Sequence, residues 1–353
     1  MPETSPVGSE LGERGREILQ LIIGYYISSG EPVGSRTVSK AMNQRLSPAS
    51  IRNIMADLEE AGYLIQPHTS AGRVPSDSAY RFFVDCLGKS AKPTRSDTAY
   101  INKALAEANT PEHMMSTASY LLSDICRTVG IVVSPPLDTS MLQHIEFVRL
   151  GEDKILVIMV SESGLLQQKL IRVAEPYTQD ELTRAGNYLV ERFSGRTLPE
   201  IRRLLVRMMR AERMRYDRMM RSLLESWSRS LDEPEETSET VYIQGTGNIL
   251  TKIDLSNIER MRELFCVFEE KGRLVKILNE CLPSDPEEGV KIRIGSELGA
   301  PCMRDFTIIT SLYRQKDRTA GYMGIIGPTR MEYRKGISVV GYLANAFSQI
   351  MTA

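Results

Sequence analysis

Residues 47–64 read SPASIRNIMADLEEAGYL, and this stretch decides the fold of the chain's beginning. Ser47 can accept a bond from an orphan N–H and Pro48 suits the first helical position, so a helix opens here. Ile51, Ile54, Met55 and Leu58 fall at i, i+3, i+4 and i+7 and predict a core-facing stripe. Ala49, Ser50, Arg52, Asn53 and Ala56 occupy the opposite face, and Gly62 ends the helix.

Upstream, Ile18, Leu21, Ile22 and Tyr25 predict a helical stripe that stops at Ser28-Ser29-Gly30, with Pro32 beyond. Ser35 is expected to cap a short second helix running to Met42, and Asn43 to Leu46 reads as a turn. Downstream, Tyr63 to Ile65 and Arg73-Val74 read as two strands joined by residues 66–72. Ser76 caps a last helix with Tyr80, Phe83, Val84 and Leu87 as its buried stripe. Two helices joined by a tight turn, the second with a polar start, followed by a hairpin, predict a winged helix-turn-helix that enters the major groove of double-stranded DNA. Arg52 can bond guanine, or else a phosphate; Asn53 can bond adenine, and Ser50 either base. The candidate contacts are Ser35, Arg36, Lys40, Arg45, Ser47, Ser50, Arg52 and Asn53, with His68, Thr69 and Arg73 in the hairpin.

Charge tests this reading. The chain's formal net charge is −1, and residues 1–88 hold eight Lys/Arg against ten Asp/Glu. A polyanion surface must therefore be local. From Gly34 to Ala56 stand Arg36, Lys40, Arg45 and Arg52 with no acid; from Ala61 to Ser76 stands Arg73, again with none. Asp57, Glu59 and Glu60 are expected to lie at the far end of the third helix, away from the groove. A winged helix that binds protein instead of DNA is the alternative.

Several motifs resemble the bacterial heat-inducible transcription repressor family, HrcA. They are residues 28–37 (SSGEPVGSRT), 47–64, 66–75 (QPHTSAGRVP), 80–85 (YRFFVD) and 327–333 (GPTRMEY). The resemblance implies an α+β chain: a winged helix, then a GAF-like antiparallel-sheet domain with an inserted, mainly helical dimerisation domain. It also implies a homodimer on an inverted-repeat operator of chaperone genes, with activity dependent on the GroE chaperonin. The expected division is a disordered tail at 1–9, the DNA-binding domain at 10–88, a linker at 89–110, the GAF-like domain at 111–175 and 286–353, and the insert at 176–285.

Read on its own, the remainder supports an interrupted α+β domain. A helix is expected over Pro111 to Arg127, then a four-strand meander at 129–134, 144–150, 154–161 and 165–173, with helices over 178–229 and 255–281. Strands return at 290–294, 306–313 and 321–326, and a final helix carries Val340, Leu343, Phe347 and Ile350 on one face. Residues 196–229 hold ten arginines against four acids, with methionines and the single tryptophan, Trp227. That suits a solvated face or a subunit interface, and less well a second nucleic-acid contact.

Five scattered cysteines without a C-x-x-C fit a reducing cytosol, and no catalytic, metal or cofactor signature stands out. Gly245-Thr246-Gly247 lacks the third glycine of a dinucleotide fingerprint, and no P-loop or G-x-S-x-G occurs. The longest apolar run, Ile155 to Val160, is far short of a membrane span. No signal peptide is expected, and the protein reads as cytoplasmic, without cofactor or membrane partner. An effector-sensing regulator, with a small molecule in the GAF-like domain, is the competing reading.

Overall fold

The chain begins with α1 (Glu13–Ser29), α2 (Ser35–Ala41) and α3 (Pro48–Glu60), then β1 (Leu64–Ile65), β2 (Val74–Pro75) and α4 (Asp77–Leu87). This computed structural model describes residues 11–68, 71–87, 92–135, 141–162, 164–173, 176–201, 203–204, 240–250, 262, 266–282, 289–315 and 318–352. The expected tail at 1–9 and the arginine-rich stretch past residue 204 lie outside them.

α1 to α4 form where the periodicity placed them, but the buried faces of α1 and α4 are shifted: in α4 Tyr80, Phe82 and Val84 are buried, and Phe83 and Leu87 only partly so. In α1 the buried residues are Ile18, Leu19, Ile22 and Ile23, while Tyr25 is 47% exposed. Adjacent apolar pairs at 18–19 and 22–23 make a stripe as regular as the one expected. Gly30 ends α1 with φ +77°, and its N–H bonds the Tyr26 carbonyl. Any Cβ there would also strike the Arg330 guanidinium. Ser35 is the first residue of α2 and not its cap; that place falls to Gly34, with no side-chain bond.

The expected linker at 89–110 is largely helix. Thr94 caps α5 (Arg95–Ala106) by accepting from the Asp97 N–H at 3.1 Å, and Ile101 and Leu105, one turn apart, are buried. Next comes α6 (Pro111–Cys126), then β3 (Val129–Val133).

The expected four-strand meander divides between two sheets. β4 (Leu142–Arg149), β5 (Lys154–Ser161) and β6 (Leu166–Arg172) pair only with one another, antiparallel. Their inner face packs on α7 (Gln179–Phe193): Ile145, Phe147, Val157 and Ile171 meet Leu182, Leu189 and Phe193. A boundary at 175/176 would cut this core, so the interruption of the main sheet starts before β4. The described part of the interruption is accordingly a sheet with helix, not mainly helix.

β3 belongs to a five-stranded antiparallel sheet ordered β7-β3-β10-β9-β8, completed by β7 (Val241–Gln244), β8 (Val290–Ile294), β9 (Phe306–Gln315) and β10 (Arg318–Pro328). Both faces are covered, as the nearly unbroken burial along β9 requires. Ile309, Met323 and Ile325 face one core with α6 and α10 (Tyr333–Thr352). Ile308, Tyr322 and Ile326 face another with Phe268 and with α9 (Lys271–Glu280), which follows the short α8 (Gly247–Leu250). Gly321 and Gly324 admit close strand packing: a Cβ at Gly324 would strike the Ile309 carbonyl oxygen. On α10, Val340, Leu343 and Phe347 are buried, whereas Ile350, in the last turn, is 39% exposed.

The first core is continuous from α1 through α4 to α10. The helical beginning of the chain is thus packed against the sheet domain.

Among the described residues no disulfide joins the cysteines; Cys86 is exposed and Cys281 buried. Burial pushes the Cys281 thiol up to about 11. Since the thiolate is the reacting form, a thiol-specific reagent at neutral pH should label Cys86 early and Cys281 only with unfolding. Peptide mapping of a labelling time course checks this order.

Candidate nucleic-acid interface

The turn between α2 and α3 is tight because two consecutive residues, Asn43 and Gln44, take positive φ of 51° and 59°. The Gln44 N–H bonds the Ser39 carbonyl at 2.9 Å. The buried Ser39 hydroxyl donates to the Leu46 carbonyl at 2.9 Å and closes the loop. Ser39 was not among the candidates; a small polar residue between Val38 and Met42 on an apolar face is the signal that could have marked it.

Ser47 caps α3 as its position predicts. Its Oγ accepts from the Ser50 N–H at 3.1 Å, and the two hydroxyls lie 3.0 Å apart. Ile51, Met55 and Leu58 are buried, and Ile54 is partly so. This burial turns Ser50, Arg52 and Asn53 outwards, and all three are exposed. Arg36, Lys40, Arg45 and Ser47 are exposed too, and Ser35 is half-buried. Among the described residues Arg36, Lys40, Arg45 and Arg52 have no ion pair.

Arg73 departs from the expectation. Its guanidinium binds Glu59 Oε2 at 2.8 Å and is only 19% exposed. Gly62, at φ +79°, reverses the chain after α3, so β2 returns beside the end of that helix. The acids judged remote in sequence are therefore adjacent in space, and Arg73 is held by a carboxylate. The reversal at Gly62 was the available signal. The Arg73 backbone pairs with Val33 in both directions at 2.9 Å. Gly72 sits so close to Val33 that a Cβ would meet its carbonyl carbon and oxygen at 2.5 Å. His68 is exposed at the hairpin's end, and Thr69 lies outside the described residues.

The class these features define is an α+β protein whose opening three helices present one cationic, amide-bearing helix start. Residues 112–337 match the family described as HrcA protein C terminal domain. The chain is 41% identical over 344 residues to the heat-inducible transcription repressor HrcA of Geobacter sulfurreducens, covering 97% of this chain and 99% of that one. Identity to the protein of that name from Syntrophobacter fumaroxidans is 35%, with 97% and 98% covered. The chain belongs to the HrcA family. A crystal structure of a protein described as hypothetical has the same fold, with TM-score 0.66, 23% identity and 97% and 99% of the chains covered.

Two outcomes follow from the local geometry. Ser47→Ala removes the cap of α3 and should cost about 1 kcal/mol in denaturant unfolding. Gly72→Ala forces a methyl group into the Val33 backbone and should cost about 1–3 kcal/mol in the same measurement.

Proposed function

We propose that this chain is a transcriptional repressor of heat-shock genes that binds DNA through the start of α3. Residues 10–88 act as a winged helix-turn-helix, with the β1–β2 hairpin as the wing. The observation that carries this reading is the exposed set Arg36, Lys40, Arg45 and Arg52, none with a carboxylate partner among the described residues. Four unopposed cations on α2, the turn and α3 suit a phosphate backbone, while the exposed Arg52 and Asn53 carry the donors that base edges accept. The relatives' names, heat-inducible transcription repressor, support the same direction.

The five-stranded sheet with α5, α6 and α10 is the GAF-like domain in this reading. β4 to α7 belong to the inserted dimerisation unit. Leu166 and Leu170, each about half exposed, lie on the outer face of the small sheet opposite Val160 and Leu156, which supports self-association there. Two copies related by a two-fold axis would place two α3 helices on one face of DNA, so the operator is an inverted repeat. Occupying it blocks transcription without any catalytic step. Heat lowers the competent fraction, and the GroE chaperonin restores it.

A gel shift on a palindromic promoter fragment tests the site. Arg52→Ala should cost roughly 1–3 kcal/mol on that fragment and little on random DNA. Lys40→Ala should weaken binding alike on all sequences and shallow the salt slope by about one. Equal losses on both DNAs for Arg52→Ala would assign it to a phosphate. Chaperonin added after a heat pulse should raise the bound fraction; an unchanged fraction would remove GroE from the mechanism.

One observation favours the effector-sensing reading. A cleft of about 800 Å³ opens between α1, α4, the start of α5 and the start of α10, floored by Ile27, Phe83 and Leu87. That volume suits a small ligand. Mass spectrometry of the denatured protein should reveal no co-purified small molecule if repression runs through the chaperonin alone.

A further inference from the structure

Two of the motifs quoted above, YRFFVD at 80–85 and GPTRMEY at 327–333, have no place in the DNA-reading surface, yet they meet. The Tyr80 and Tyr333 rings lie 5.7 Å apart, and Phe83 stands edge-on to Tyr333 at 6.5 Å. The Tyr333 hydroxyl donates to the Thr329 carbonyl at 2.6 Å and lies 3.1 Å from the Thr307 hydroxyl, which fixes its ring on the sheet. Around this stack α4 is clamped by charge. Arg81 grips Glu297 with a two-pronged pair, Nε to Oε1 at 2.8 Å and Nη2 to Oε2, and also donates to the Ile292 carbonyl at 2.8 Å. Asp77 accepts the Ser296 N–H at 2.9 Å. Gly295, at φ +52°, leaves room for that carboxylate, because a Cβ there would stand within 2.5 Å of it.

Aromatic contact alone holds two surfaces together while tolerating slip. A fork-to-fork guanidinium–carboxylate pair fixes an angle, because both N–H bonds must stay aligned. Glu297 is itself held, accepting the Ile294 N–H at 3.0 Å, so α4 is referenced to the backbone just after β8.

We infer that Asp77, Arg81 and Glu297 are positioning residues: they set the angle at which the α1–α4 unit stands on the sheet domain. In a dimer they thereby set the separation of the two α3 helices, and so the half-site spacing accepted. The second clause rests on the DNA-binding reading above; the first does not. None of the three residues belongs to the exposed set on α2 and α3.

The test uses the full chain with Arg81→Lys, which keeps the charge but loses the fork, and Glu297→Ala. The DNA probes are an isolated half-site and inverted repeats with the spacer changed by roughly one to five base pairs, up to half a turn. Both variants should bind the isolated half-site within about twofold of wild type, bind the best repeat about tenfold more weakly, and discriminate less among spacers. Arg81→Lys with spacer preference intact, or half-site and repeat affinities falling in parallel, would overturn the spacing role. Calorimetry without DNA tests the joint alone. Wild type should unfold in one transition, and the variants should show a separate, earlier one for the α1–α4 unit. A single transition in both variants would overturn the joint. Wild type that bound none of the DNAs would refute the DNA reading and the spacing role, while a split transition would still establish the joint.

Discussion

The packing of α4 against both its own three-helix unit and the sheet domain is the constraint on which the rest depends. Tyr80 and Phe82 are buried, and Tyr63 meets Phe82 edge-on within the unit. Tyr80 and Phe83 also contact Tyr333 across the junction. Removing one such aromatic costs on the order of 3–5 kcal/mol, a large share of a domain's net stability. The same burial raises the Tyr80 and Tyr333 hydroxyls above the ordinary tyrosine range, so neither ionises near neutrality. Tyr80 Oη has no hydrogen-bond partner among the described residues, a cost the surrounding apolar contact offsets. Because α4 is shared, the orientation of α3 is inherited from the sheet domain and not from a free linker.

The periodic elements were legible. α3 and its Ser47 cap, the strand at 290–294 and the helix from Pro111 follow from spacing and from local hydrogen bonding that needs no distant partner. α1 shows where spacing loses resolution: with Ile18, Leu19, Leu21, Ile22, Ile23 and Tyr25 in one helix, two faces read equally well. Tertiary packing chose the one containing Leu19 and Ile23. α5 was missed because the lysine and proline before it look like a linker, and its two buried residues form a short signal.

Arg73 and the meander share one cause: each depends on a partner that is not its neighbour in sequence. Arg73 looked unopposed because Glu59 precedes a glycine reversal, and only the folded hairpin brings them to 2.8 Å. The meander from 129 to 173 looked continuous because its strand candidates follow one another directly, with turn signals at 151–153 and 162–164 between the last three. Whether β3 pairs with β4, or instead with β7 and β10, is not a local property. The exposure of Ser50, Arg52 and Asn53 was easier, since a polar helix face opposite an apolar stripe has nowhere to point but outwards.

The interrupted sheet also dictates an order of events during synthesis. β3 leaves the ribosome long before its partners β7 and β10, and the core containing Ile18, Ile22 and Tyr80 also contains Tyr333 and Phe347 from the last helix. Contacts so distant in sequence form late and slowly. Until β10 and the final helix arrive, β3 lacks one of its two partners and the side of α4 that meets Tyr333 lacks its cover, a state open to misassociation. A newborn copy of this protein therefore spends its growth as an incompletely folded chain, and each copy must cross that interval before its two cores close.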